Sequence, residues 1–177
     1  LDFNDDVDYK IISNAIDNNP MAIQYVRYIE NETDDYKMNA LVTNAITKDG
    51  LSFKYLKQPF SKFTNIQQIA ISQNPDIIKH ITHYADPNML SKAITTNGML
   101  LSTINKNLVT KDLIFKAVTQ NPNIISYVTK YLTHLLTPDE TNHVISIALS
   151  QKGSLLPEIS SATREHKLIA LKQNSSN

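Results

Sequence analysis

The fold is decided by a six-residue stretch, Ala117-Val118-Thr119-Gln120-Asn121-Pro122. It combines a small residue, an aliphatic residue, two polar residues, an asparagine and a proline. Asparagine is a favoured residue just before a helix, and proline suits the first helical turn because it has no amide hydrogen to leave unbonded. The stretch therefore predicts that one helix ends and another begins within these few residues.

The same pattern, called here the turn pattern, recurs along the whole chain. Its alanines are separated by 30, 25, 23, 24, 31 and 22 residues, and proline and glycine alternate at its last position, so that two copies can form one unit of about 50 residues. A fixed period of this length is typical of helical repeat proteins. The copies are Ala15–Pro20, Ala45–Gly50, Ala70–Pro75, Ala93–Gly98, Ala117–Pro122 and Ala148–Gly153, and an incomplete seventh copy is Ala170–Asn174.

Each turn pattern follows an apolar stripe with helical spacing. Counting the alanine as position 0, aliphatic residues occupy positions −4, −3 and +1 in most copies, as Leu113, Ile114 and Val118 do. Such spacing places them on one face of a helix. The small alanine lets a neighbouring helix approach closely. Where glycine ends the pattern, as at Gly98, we expect the left-handed backbone conformation that often terminates a helix.

A second apolar stripe follows each turn. Residues three and six positions after the proline or glycine are apolar in all six complete copies, as Ile125 and Val128 are after Pro122. Each repeat is therefore predicted to contain two short helices, and neither can bury its stripe without stacking on a neighbour. We expect an all-α, right-handed solenoid of about six helical hairpins and a terminal helix, in one domain over residues 1–177. The predicted repeats are 9–35, 36–63, 64–85, 86–109, 110–136 and 137–160, with a partial repeat at 161–174.

Composition excludes several classes of function. The chain has 17 basic and 17 acidic residues, no cysteine and only three glycines. Without cysteine there is no thiol catalysis, thiolate zinc site or iron–sulfur cluster, and the scattered glycines form no phosphate-binding loop. No apolar run is long enough to span a bilayer. We therefore expect no cofactor, no membrane partner and no strongly cationic nucleic-acid surface.

Charge is nevertheless unevenly distributed. Residues 1–40 contain nine acidic and three basic residues, a balance of −6, whereas the remainder contains eight acidic and fourteen basic residues, a balance of +6. The asymmetry is explained either by an acidic, solvated end of the array or by electrostatic attraction to a partner, including head-to-tail association.

Two clusters contain residue types that bind metals, but neither is predicted to be a metal site. Asp76, His80 and His83 share one helical face, but His80 takes the slot that tyrosine fills in three other repeats, which favours a packing role. The acidic stretch 2–8 has the wrong residues for a calcium loop at its sixth and twelfth positions. No nucleophile accompanies the remaining histidines, so we expect no catalytic or metal site and no enzyme activity.

The polar residues at positions +2 and +3 of the turn pattern form a column, which we call the polar column. A solvated helix face explains it, and an RNA-binding solenoid that reads one base per repeat is the alternative. Tyr84 and Tyr131 fill one recurring slot and are either interface anchors or half-buried core residues. The candidate interaction surface is Ser72, Gln73, Thr95, Thr96, Thr119, Gln120, Ser150, Gln151, Tyr84 and Tyr131.

The turn pattern resembles that of a bacterial and viral helical repeat family of unknown function, A-V-x-x-N-G-x-x-L-x-[YF], in which the repeats are paired over about 50 residues. The best matches are 45–55 and 117–127, and the resemblance extends from about Tyr9 to Asn174. It implies a helical array within a larger bacterial effector or a viral or phage particle protein, with no catalytic residues.

We therefore expect a non-catalytic scaffold for protein–protein interaction, inside a host cell or a virion, with an RNA-binding solenoid as the alternative and an enzyme accessory domain as a third option. The seventh turn pattern is followed by only three residues. This predicts that the array continues past Asn177, unless the last helix is itself a cap with its apolar residues turned onto repeat six.

Overall fold

The computed structural model describes residues 6–26, 36–57, 60–81 and 86–175, and every element in these ranges is a helix, without any strand. The all-α prediction is confirmed. The α-helices are α1 Asp6–Asn18, α2 Tyr36–Lys48, α3 Thr64–Gln73, α4 Ile78–Ile81, α5 Pro87–Thr96, α6 Lys111–Gln120, α7 Ile125–Tyr131, α8 Pro138–Gln151 and α9 Arg164–Ser175. The 3-10 helices are η1 Pro20–Tyr25, η2 Gly50–Tyr55, η3 Phe60–Lys62, η4 Pro75–Ile77, η5 Gly98–Ser102, η6 Lys106–Leu108, η7 Pro122–Ile124, η8 Thr133–Leu135 and η9 Gly153–Glu158.

The turn pattern has nearly the same geometry in five copies. The residue before the proline or glycine has φ between −147° and −144° and ψ between 99° and 107° at Asn19, Asp49, Asn74, Asn97 and Asn121. Its side-chain oxygen accepts a hydrogen bond from the amide two residues later, at 2.9–3.1 Å. The predicted caps are confirmed, since these bonds satisfy one amide that a new helix leaves unpaired.

The predicted left-handed glycines are wrong. Gly50, Gly98 and Gly153 are the first residues of 3-10 helices, the slot that Pro20 and Pro122 fill in other copies, and none has a positive φ in the left-handed region. The preceding residue, in extended conformation, makes the change of direction instead. Glycine is required for a different reason: the following repeat lies so close that it leaves no space for a side chain at this position.

The second element of each complete repeat begins as a 3-10 helix, and only η4 and η7 continue into the α-helices α4 and α7. Position +3 lies in the 3-10 helix in four copies and in the following α-helix in the other two, and position +6 lies beyond the end of the 3-10 helix in all six. Five of the six residues at +3 and all six at +6 are buried. The apolar spacing predicts a helix in each copy, and the element that begins there is a 3-10 helix, extended by an α-helix in two copies.

Two compact units divide the chain, 1–89 and 90–177. In the first unit α2 packs on α1 and η1, and α3 packs on α2 and η2. In the second, α6 packs on η5, α8 on α6 and η7, and α9 on α8 and η9. The first helices α2, α3, α6, α8 and α9 therefore lie against the preceding repeat of their own unit.

The alanines of the turn pattern are central to this packing. Ala93 and Ala117 are fully buried, as the repeat interpretation predicts. Two of the first helices are capped at their starts: Thr137 and Glu140 form a capping box, and Asp86 accepts a hydrogen bond from the Met89 amide at 2.9 Å. Among the described residues no helix is long and apolar enough to cross a membrane.

Candidate protein-interaction groove

The polar column is exposed, but many of its side chains bond to the preceding repeat. Gln120 donates from Nε2 to the carbonyl oxygen of Thr96 at 3.1 Å and accepts at Oε1 from the amide of Gly98 at 2.5 Å. Gln151 donates to the carbonyl oxygen of Thr119 at 3.3 Å. These bonds tie consecutive repeats together, a role that the expectation of a solvated face did not include.

The side chain at position +3 also bonds to the preceding repeat in the second and the seventh copies of the turn pattern. Gln173 accepts from the amide of Gly153 at 2.8 Å, and Lys48 reaches the carbonyl oxygen of Asp17 at 3.2 Å and its carboxylate at 2.9 Å. The carboxylate also accepts from Asn44, and this hydrogen bond, followed by that of Lys48, lowers the pKa of Asp17. The side chain at +3 therefore bridges repeats in four copies, as an amide in three and as an ammonium group in one.

The hydroxyl groups of the column, except that of Thr119, are bonded within their own helices. Ser72 donates to the carbonyl of Gln68 at 2.7 Å, Thr96 to that of Lys92 at 3.0 Å and Ser150 to that of Ile147 at 2.8 Å. Such bonds leave the oxygen atom with acceptor capacity but occupy its proton. A row of hydroxyls in this state is poorly suited to reading base edges.

One part of the column borders an open groove of about 420 Å³ in the second unit, lined by Thr95, Phe115, Lys116, Thr119 and Gln120. We call it the groove. Three of its five residues belong to the predicted interaction surface. Residues at position −2 of the turn pattern lie beside the column, and Phe115 is the one aromatic residue at that position in the sequence. That exception was the signal by which the groove could have been found.

Phe115 supplies the apolar surface of the groove. Its ring is half-buried and lies against the imidazole of His143, with ring centroids 5.6 Å apart and a tilt of 38°. An aromatic ring that is fixed at one side and open at the other can bury a partner's side chain with little loss of conformational entropy.

The charge of the groove is locally neutralised. Lys116 Nζ lies 2.7 Å from a carboxylate oxygen of Asp112 and donates to Ser91 Oγ at 2.8 Å. On the adjoining helices Lys111 pairs with Glu140 at 3.0 Å. The Glu140 carboxylate also accepts from the Thr137 amide, and this bond, followed by that of Lys111, lowers its pKa. Ammonium groups already paired with carboxylates bind phosphate weakly.

The other predicted residues lie away from these contacts. Gln73 is exposed, and its Cβ is near the place where a side chain on Gly50 would lie. Tyr131 is 42% exposed, its ring centroid lies 5.1 Å from that of Tyr127, and Lys106 Nζ lies 4.8 Å from it. Tyr84 falls outside the described residues, as does His83.

The histidines that the structure describes do not converge on a site. His80 lies on α4, and its pKa is lowered by partial burial and by the charges of Lys79 and Lys54. His166 is buried: its Nδ1 accepts from the Thr163 amide at 3.0 Å, and its Nε2 lies 3.0 Å from the carbonyl oxygen of Asn142. It locks the start of α9 onto α8. No group of three or more metal-ligating side chains occurs in the part of the chain that the structure describes.

Comparisons of the chain with protein-family models, with curated proteins and with solved structures found no match. The groove and the packing of the repeats are therefore the features of the chain that bear on function.

Proposed function

We propose that this chain is a non-catalytic helical-repeat scaffold whose groove binds a segment of another protein. In this proposal the repeats form a right-handed solenoid, the chain belongs to the repeat family that it resembles, and it serves within a larger bacterial effector or viral particle protein. The observation that carries the proposal is the groove of about 420 Å³ with Phe115 open at its side.

The chemistry of the groove favours a peptide. Thr119 offers a hydroxyl that makes no hydrogen bond within the described residues, and Phe115 offers an apolar surface. Lys116 is neutralised by Asp112. A neutral groove with one aromatic ring and a few hydrogen-bonding groups suits an extended segment that places an aliphatic or aromatic side chain on the ring.

RNA binding is the second candidate, and one observation favours it at another position. The exposed ring of Tyr131 has Lys106 Nζ 4.8 Å and Lys130 Nζ 5.2 Å from its centroid, so that two ammonium groups accompany an aromatic surface. Aromatic rings with adjacent cations stack and neutralise single-stranded nucleic acid. This arrangement is a single cluster, whereas base reading by a solenoid needs one in each repeat.

A selection experiment distinguishes the two candidates. A random peptide library displayed on phage would be selected on the immobilised chain, and the recovered peptides measured by fluorescence anisotropy. We expect their affinity to fall at least tenfold in Phe115→Ala. The matched control is Tyr36→Ala, which removes an aromatic ring that is 75% exposed on α2; here the affinity should stay within twofold. Peptides that bind all three proteins equally, or a mixed-sequence single-stranded RNA that binds more tightly than any peptide, would contradict the proposal.

A further inference from the structure

One asparagine of the turn pattern differs from the others in the residue that follows it. In the complete copies, the residue before the proline or glycine is an asparagine four times, at Asn19, Asn74, Asn97 and Asn121. Proline follows three of them, and its nitrogen carries no hydrogen. Asn97 is followed by Gly98, and this is the one Asn-Gly pair in the sequence. Its carboxamide therefore adjoins a main-chain amide that can lose a proton and that no side chain shields.

An asparagine that precedes glycine can lose its side-chain amide by a reaction within the chain, one reason why asparagine is thermolabile. The glycine nitrogen gives its proton to hydroxide and bonds to Cγ of the asparagine, and the Cγ–Nδ2 bond breaks to release ammonia. Water then opens the five-membered imide. Opening at Cγ leaves an aspartate, and opening at the main-chain carbonyl carbon leaves an isoaspartate, whose main chain runs through Cβ and Cγ.

The backbone around Asn97 keeps the reacting atoms apart. Its φ of −145° and ψ of 99° are extended, so that the Gly98 nitrogen and the Asn97 Cβ point away from each other about the Cα–C bond. Closing the imide requires them on the same side. The Asn97 carbonyl accepts from the Leu100 amide at 3.1 Å, and its side-chain oxygen accepts from the Met99 amide at 3.1 Å. Rotation of ψ to the reactive conformation therefore breaks the bonds that begin η5.

Gln120 of the following repeat holds both neighbours of Asn97. Its Oε1 accepts from the Gly98 amide at 2.5 Å, and its Nε2 donates to the Thr96 carbonyl oxygen at 3.1 Å. The first of these bonds occupies the hydrogen that the reaction must remove. Gly98 is also buried and lies close to the carbonyl of Ala117. Hydroxide therefore reaches this nitrogen only when the contact between the two repeats opens.

We propose that Asn97 is a site of spontaneous deamidation, that Gln120 suppresses the reaction in the folded chain, and that opening of the contact between the fourth and fifth repeats permits it. The rate then follows the fraction of molecules in which this contact is open, because the contact recloses much faster than the imide forms. The proposal does not depend on peptide binding, although Gln120 also lines the groove.

The two products affect the contact between these repeats differently. An aspartate can keep the cap, since Asp49 has the equivalent backbone conformation in the second copy and accepts from the Leu51 amide at 2.9 Å. An isoaspartate lengthens the main chain and shifts Gly98 relative to Gln120. We therefore expect the isoaspartate form, and not the aspartate form, to weaken the contact.

Site-resolved mass spectrometry measures the reaction, because replacement of an amino group by a hydroxyl group changes the mass of the peptide that contains Asn97. The chain would be incubated at mildly alkaline pH, both in native buffer and unfolded in urea, and then digested in acid, where imide formation is slow. We expect the native chain to react at least about tenfold more slowly than the unfolded chain. Equal rates under the two conditions would overturn the proposal.

Two matched variants separate the role of Gln120 from a general loss of stability. Gln120→Ala removes the acceptor of the buried Gly98 amide and should speed deamidation of Asn97 by about tenfold. Gln173→Ala removes the equivalent bond to the Gly153 amide in the same unit, and should leave the rate at Asn97 within about twofold of the wild type. Urea unfolding would check that both variants are folded. The same acceleration in both variants, or in neither, would overturn the proposal.

Discussion

Gly153 lies so close to the carbonyl oxygen of Ala170 that a Cβ atom on the glycine would stand 2.5 Å from it. Gly50 has the same relationship to Ala70, at 2.7 Å, and Gly98 has it to Ala117. In each case the alanine belongs to the following repeat. Glycine alternates with proline in the turn pattern because every second repeat needs this close approach, and the amides of Gly98 and Gly153 donate to a glutamine that also belongs to the following repeat.

Substituting Gly98 tests this explanation of the alternation. Alanine ordinarily stabilises a helix relative to glycine. Here its Cβ would meet the Ala117 carbonyl, which is held by a hydrogen bond from the Asn121 amide at 2.8 Å. We expect Gly98→Ala to lower the free energy of unfolding by about 1–3 kcal/mol, the usual cost of overpacking. The control is Pro122→Ala at the equivalent position of the next repeat, where the loss should be no more than about 1 kcal/mol. A Gly98→Ala variant more stable than the wild type in urea unfolding would contradict the account.

Gln120 is expected to stabilise the contact between its repeat and the preceding one. Truncation in Gln120→Ala leaves the amide of the buried residue Gly98 without its acceptor, and we expect a loss of about 1–3 kcal/mol. Gln68→Ala in the middle of α3 is a control, because that glutamine is exposed and alanine is the better helix former. Equal effects of the two substitutions on thermal unfolding would show that the bridge between repeats has no energetic role.

Ser52, two positions after Gly50, is a polar residue in the apolar interior. Its side chain is fully buried, and its hydroxyl is without a hydrogen-bond partner in the described structure. An unsatisfied buried hydroxyl is costly, so Ser52→Ala should raise the free energy of unfolding by about 1 kcal/mol. Ser102→Ala, which removes an exposed hydroxyl bonded to the Met99 carbonyl at 2.8 Å, should change it by less than about 0.5 kcal/mol. A destabilised Ser52→Ala protein would mean that this hydroxyl has a partner.

Stability should depend on pH through Glu140. Its pKa in the folded chain is lowered, first by the hydrogen bond from the Thr137 amide and then by Lys111. The stabilisation is therefore complete above the pKa of an unfolded-chain glutamate, about 4.3, and is lost as pH falls through the lower folded value. We expect Glu140→Gln to unfold at lower urea concentration than the wild type at pH 7, and the difference to shrink in acid. Asp139→Asn is the neighbouring control. A difference that persists unchanged at pH 2 would contradict a carboxylate-dependent cap.

Local signals in the sequence predicted the local structure well. Asn121 and Pro122 favour particular backbone torsions, and the Asn121 side chain accepts a hydrogen bond from the amide two residues later. Their capping role could therefore be predicted without any tertiary information. The burial of Ala93 and Ala117 followed from the regular apolar spacing. The 3-10 form of the second helices was missed because a spacing of three is compatible with both helix types over so few residues.

The candidate site was less predictable because it depends on contacts between repeats. Gln120 and Gln151 were correctly assigned to an exposed column, but their bonds to the preceding repeat join residues 22–32 positions apart. Nothing in the local sequence distinguishes a bridging glutamine from a solvated one. Phe115 was not among the predicted site residues, since its position beside the column depends on how α5 and α6 pack.

The most direct test of the central proposal is an amide chemical-shift map of the chain with a selected peptide bound. Binding in the groove predicts that the largest shifts fall on Thr95, Phe115 and Thr119, with much smaller shifts at Leu171 on α9. The same map recorded with single-stranded RNA should show no comparable shifts at these positions. Largest peptide-induced shifts around Tyr131, or groove shifts produced by RNA and not by peptide, would contradict the account.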